Sequence, residues 1–96
     1  MERFSARTID EVGMMVLPSE LREKLSLKTG DEVFLQVVDT IVIMRREKTE
    51  HSGFTCKVDD LGRIKLSAEL RGEMGWNIAD KIAPYNTDNL IILKAA

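Results

Sequence analysis

Few side chains in this sequence are of the kinds that make or break bonds, and their surroundings decide what each can do. Asp10 and Asp59 are the carboxylates to consider as a general acid and base. Each heads a run of two acids and a glycine, Asp10-Glu11-Val12-Gly13 and Asp59-Asp60-Leu61-Gly62. An aspartate there accepts backbone N–H bonds and shapes a tight turn, so the structural role is expected. His51 is the single histidine, lies in a polar stretch and has no partner for a metal site. Cys56, the single cysteine, excludes an internal disulfide. Lys57 beside it would favour the thiolate, and so a redox switch, only if the two side chains shared a face; neighbours on a strand alternate. Gly13 and Gly62 are isolated and match no phosphate-binding loop. With no nucleophile–base pair, metal cluster or cofactor fingerprint, the expectation is a protein that is not an enzyme, with no cofactor and no metal.

The elements that position these residues belong to a chain of 96 residues, one small domain or two very small units sharing a core. Apolar residues make up 44% and charged residues 31%, a globular balance. No apolar run exceeds five residues, too short to span a bilayer. No apolar stretch follows the charged N-terminal residues, so no secretory signal is read there, and a reducing cytoplasm is the expected setting. The net charge of −2 provides no global attraction for nucleic acid, so any such surface must be a local patch.

The chain repeats itself at an offset of 49 residues. Residues 4–47 align without a gap on residues 53–96, and 9 of the 44 pairs are identical, against roughly three from ordinary composition. The identities include Asp10/Asp59, Gly13/Gly62, Leu17/Leu66, Leu21/Leu70, Arg22/Arg71, Asp31/Asp80 and Ile43/Ile92. They fall at turns and at apolar positions of matched phase. The organisation read from this is a first unit over 1–48, a polar connector over 49–53 and a second unit over 54–96.

Each unit reads as strand, strand, short helix, strand, strand. Extended stretches over 4–9 and 54–58 lead into the acid–glycine turns, and second strands follow over 14–17 and 63–66. Leu17, Leu21 and Leu25, matched by Leu66, Leu70 and Met74, recur at helical spacing over about two turns. Pro18 suits the first helical position, and Ser67 at the matching place can cap. Strands are then predicted over 32–38 and 41–46, and over 80–85 and 90–94, with Pro84 demoting its strand to an edge or a bulge. Met15 and Trp76 read as core. Met14 reads as an exposed residue at a loop tip. Neither unit has enough apolar surface to stand alone, so the fold expected is mainly β with short helices, the eight strands closing one small barrel.

The runs Arg7-Thr8-Ile9-Asp10-Glu11-Val12-Gly13, Val16-Leu17-Pro18-Ser19-Glu20-Leu21-Arg22 and Thr29-Gly30-Asp31-Glu32-Val33 resemble the AbrB-type swapped-hairpin domain. The second copy, from Lys57 through Gly62 to Leu66 and on to Glu69-Leu70-Arg71, resembles it again. The superfamily includes the MazE-like antitoxins and the MraZ proteins, which carry two units in one chain. The resemblance implies a swapped-hairpin (double-split) β-barrel made by two tandem ββαββ units as a pseudo-dimer. Fusing the units would free assembly from concentration and let the halves diverge.

The resemblance further implies binding to double-stranded DNA as a transcription regulator, through arginines on the first strand, the loop after the glycine and the helix start. Carried onto this sequence, those positions hold Arg7 and Arg22 in the first unit and Arg63 and Arg71 in the second. Met14, Glu23, Cys56 and Gly72 stand where further arginines are common in the family, and Lys57 and Lys65 add charge in the second unit. Arginine suits this work because its planar fork binds phosphates and guanine edges. The alternative, from another class, is a protein-interaction module, either antitoxin-like or a barrel without DNA binding. The sequence ends at Ala96 directly after its last strand, without the disordered tail expected of an antitoxin. Either a monomeric pseudo-dimer or a homodimer fits the pattern.

Overall fold

The computed structural model describes residues 1–96. In the first unit the strands are β1 (Glu2–Arg3), β2 (Arg7–Thr8), β3 (Met14–Val16), β4 (Glu32–Val38) and β5 (Ile41–Arg45), with helix α1 (Ser19–Lys24) between β3 and β4. The second contains β6 (Phe54–Lys57), β7 (Arg63–Lys65), α2 (Ala68–Met74), β8 (Lys81–Thr87) and β9 (Leu90–Ala95). All pairing is antiparallel. The main sheet runs β1-β8-β9-β5-β4-β6, with β2 also on β8, and β3 pairs β7 as a separate two-stranded ribbon. The result is the mainly β swapped-hairpin barrel.

The register identifies how the units interlock. In the ribbon Met15 faces Ile64, and in the main sheet Ile43 faces Ile92. Both are pairs of residues 49 positions apart, so an internal two-fold passes through both. Of the seven strand pairings, β3–β7 and β5–β9 are thus the two that join equivalent elements. The first strand of each unit lies on a hairpin of the other: β2 on β8, and β6 on β4. Neither unit can bury its apolar face alone, and their side chains form one core of 18 buried residues. Met15, Leu17, Leu21, Ile64, Leu66 and Leu70 are at most 1% exposed, and Trp76 is buried among them.

The helices are short because the sequence stops them at once. Leu21 and Leu70 are their buried residues, while Leu17, Leu25 and Leu66 pack from just outside the helical turns. Pro18 stands one place earlier than the sequence pattern predicts, at the N-cap, where it has no side chain to accept an N–H bond. Ser67 at the equivalent place caps α2, its hydroxyl accepting from the Leu70 N–H at 3.2 Å. Gly75 ends α2 in the left-handed conformation (φ 69°), while Ser26 adopts a similar conformation (φ 53°) beyond α1.

Two expectations need correction. Pro84 does not make β8 an edge strand: β8 has β9 on one side and β1 and β2 on the other. The ladder is interrupted instead on the neighbouring strand, because Arg3 faces Tyr85 while Arg7 faces Ile82, so three residues oppose two. Pro84 lacks an N–H but still accepts from the Phe4 N–H at 2.9 Å. The strand also runs two residues beyond its expected end, to Thr87, and the hairpin turns at Asp88 (φ 50°) just as its counterpart turns at Asp39 (φ 52°). The Asn86 amide donates to the Leu90 carbonyl at 3.2 Å and holds that extension.

Candidate nucleic-acid interface

The two acid–glycine turns are built alike. Asp10 Oδ1 accepts from the N–H groups of Val12 (3.0 Å) and Met14 (2.9 Å), and Asp59 Oδ1 from those of Leu61 (2.9 Å) and Arg63 (2.7 Å). The carboxylates are therefore turn-formers, as their surroundings predict. The Met14 N–H bond is the main influence holding the Asp10 carboxyl below the usual carboxylate range. At Asp59 desolvation pushes upward, but the N–H bond of Arg63 and its guanidinium outweigh it, so this group is also lowered. Gly13 (φ 80°) and Gly62 (φ 74°) close the turns in a conformation open mainly to glycine.

These glycines have a second role. Arg22 Nε donates to the Leu17 carbonyl at 3.0 Å, and Arg71 Nε donates to the Leu66 carbonyl at 2.9 Å. Held this way, each guanidinium lies over the turn of the other unit. A Cβ on Gly62 would stand 2.6 Å from Arg22 Cζ, and one on Gly13 would stand 3.3 Å from Arg71 Nε and 3.1 Å from the Leu66 carbonyl oxygen. The backbone ties the same places together, Leu17 N–H donating to Gly62 and Leu66 N–H to Gly13. In both arginines Nε is used and the two terminal nitrogens make no protein hydrogen bond. They are anchored, half-buried donors, each with Nη2 held close to the glycine of the opposite turn.

Between the arginines lies the β3–β7 ribbon. Its inward residues, Met15 and Ile64, are core, and Met14, Val16, Arg63 and Lys65 alternate with them on the outer side. Arg63 Nε donates to Asp59 Oδ2 at 2.7 Å and Nη1 to Asp10 Oδ2 at 3.4 Å, so this side chain joins the turns of both units. The Asp59 hydrogen bond is the leading reason that Arg63 holds its proton even more firmly than usual. Lys65 Nζ donates to the Val12 carbonyl, a second link from β7 to the first unit. Met14 occupies the position equivalent to Arg63, opposite Lys65 in the ribbon and half-buried, not at an exposed loop tip. The turn tips carry two exposed apolar side chains at equivalent positions, Val12 (59%) and Leu61 (63%).

Of the six basic residues that the sequence points to, Arg22, Arg63, Lys65 and Arg71 are linked through these turns and the ribbon. Arg7 is set apart: it is half-buried opposite Ile82, and its Nε is enclosed without a partner. Lys57 is exposed but stands across from Glu32. Cys56, at the position equivalent to Arg7, is half-buried, and burial pushes its thiol up, opposite to the effect considered for Lys57. The stacking of Arg22 and Arg71 on the opposite turns went unread in the sequence, although the joint repetition of the glycine and the arginine at both places is its signature.

Interleaved hairpins, cross-unit turns and an arginine-bearing ribbon face define a swapped-hairpin barrel protein. Residues 6–50 match the model of the family described as antidote-toxin recognition MazE, bacterial antitoxin. The matched residues span the first of the two units, from β2 to the start of the connector. Among solved structures the chain is similar to the solution structure of PHS018 from Pyrococcus horikoshii, with a TM-score of 0.53, 19% identity, and coverage of 99% of this chain and 88% of that one. That likeness establishes the fold. A search of curated proteins gives no significant match. No helix is long and apolar enough to cross a membrane.

Proposed function

We propose that this protein is a DNA-binding transcription regulator of the AbrB/MazE type, acting in the cytoplasm. Its two units, 1–48 and 54–96 joined by the connector 49–53, work as one barrel. Arg22, Arg71, Arg63 and Lys65 contact duplex DNA, and Arg7 and Lys57 add charge at the margins. The observation that supports this reading is the anchoring of Arg22 and Arg71: each is fixed through Nε and by the opposite turn, and its terminal nitrogens make no protein hydrogen bond. A pre-positioned guanidinium loses little freedom on meeting a phosphate or a guanine edge.

Fluorescence anisotropy on labelled duplexes across a salt series tests this. Four phosphate contacts correspond to a log–log slope of about −3.6. Replacing both arginines, Arg22→Glu with Arg71→Glu, should weaken binding by about a hundredfold or more, since two charge-assisted bonds are lost. Unchanged affinity in a folded double variant would refute the assignment.

Exposed Val12 and Leu61 favour a second reading, in which the same face docks a protein partner such as a toxin, in keeping with the description of the matching family. No duplex binding at low salt by folded protein would favour it.

A further inference from the structure

The internal two-fold exposes a difference that the symmetric backbone conceals. The axis through Met15 and Ile64 maps Met14 onto Arg63 and Val16 onto Lys65. The outer face of the ribbon is therefore apolar along β3 and basic along β7. The flanking arginines remain matched, Arg22 over Gly62 and Arg71 over Gly13. Arg63 is braced by Asp59 and Asp10 through Nε and Nη1, leaving Nη2 without a protein partner.

Resting on the DNA-binding reading above, we infer that the ribbon reads a duplex site without two-fold symmetry, with guanine on the β7 side and thymine on the β3 side. Arginine and lysine donate to guanine O6 and N7 in the major groove, whereas apolar side chains pack on the thymine methyl. A two-stranded ribbon is narrow enough to enter that groove. The equivalent arginines on either side set the spacing of the phosphate contacts, which carry no sequence information themselves. The centre of the ribbon then supplies the polarity of the site. Val16 and Met14 give the β3 side no donor with which to reward guanine.

Selection from a random duplex library, run with the full chain, Met14→Arg and Arg63→Met, tests the inference. The wild-type protein should enrich a non-palindromic motif with guanine in one half and thymine in the other. Met14→Arg should make the motif symmetric and guanine-rich in both halves. Arg63→Met should lose the guanine preference and about tenfold in affinity for the wild-type motif. Enrichment of a palindrome by the wild-type protein overturns the inference. Salt-sensitive binding without any enrichment also overturns it while leaving the DNA-binding reading intact. Absence of binding to every duplex at low salt removes both.

Discussion

The two units share a backbone more faithfully than they share side chains. All eight residues with positive φ fall into four equivalent pairs: Gly13 with Gly62, Ser26 with Gly75, Gly30 with Ala79, and Asp39 with Asp88. The chain path has thus been kept even where the residue best suited to it has not. On the outer ribbon face the reverse holds, with Met14 and Val16 standing for Arg63 and Lys65 on the same path. Geometry in this protein is shared between the units, and chemistry is divided between them. Packing explains the split, since a change of turn in one unit would displace the arginine of the other.

The most disruptive test of that coupling is at the glycines. Gly62→Ala should destabilise the fold by about 1–2 kcal/mol through left-handed strain and also dislodge Arg22, weakening duplex binding. Gly13→Ala should cost about as much from the same strain, its new methyl meeting the Leu66 carbonyl before it meets Arg71. Urea melts paired with anisotropy separate the two effects, and a Gly62→Ala protein with wild-type stability and binding would break the cross-unit account.

A smaller effect distinguishes the two turn aspartates by pH. Both are held below their ordinary values, so each contributes stability that is complete above the unfolded value of about 3.9 and is lost as pH falls through the lower folded value. Arg63 remains charged throughout. Asp59→Asn should flatten the acid limb of a stability–pH profile more than Asp10→Asn, because Asp59 holds Arg63 at 2.7 Å and Asp10 does so only at 3.4 Å. Equal flattening would mean that the turn N–H bonds, which the two share, account for all of it.

The gentlest test improves each unit where the other already has glycine. Ser26→Gly and Ala79→Gly should each stabilise by about 0.5–1 kcal/mol, as relief of left-handed strain exceeds the added freedom of the unfolded chain. Thermal melts of the two variants suffice, and a loss of stability in either would show that the native side chain makes up for its backbone.

Much of this architecture was legible because repetition and alternation are local signals. The strand over 32–38 was read at both ends from its β-branched alternation, and the turns from their acids and glycines. The end of β8 was missed because Asn86 and Thr87 extend it through hydrogen bonding without an apolar pattern. Pro84 misled for a different reason: its rule concerns one strand, while the irregularity was absorbed between Arg3 and Arg7 on another. At the candidate interface the arginine positions came from resemblance to a family. Their anchoring could not be read locally, since Arg22 meets Gly62 only once both hairpins have closed.

The pairing of the first strands with β8 also has a consequence in time. Glu2 finds its partner at Asn86 and Thr8 at Lys81, so on the ribosome the opening residues emerge long before the strand that receives them. Contacts this distant along the chain delay folding to roughly the millisecond-to-second range seen for β-rich domains. Synthesis at about 5–20 residues per second makes the wait longer still. Throughout it, the apolar side of the β4–β5 hairpin lacks the second unit that buries it in the finished barrel.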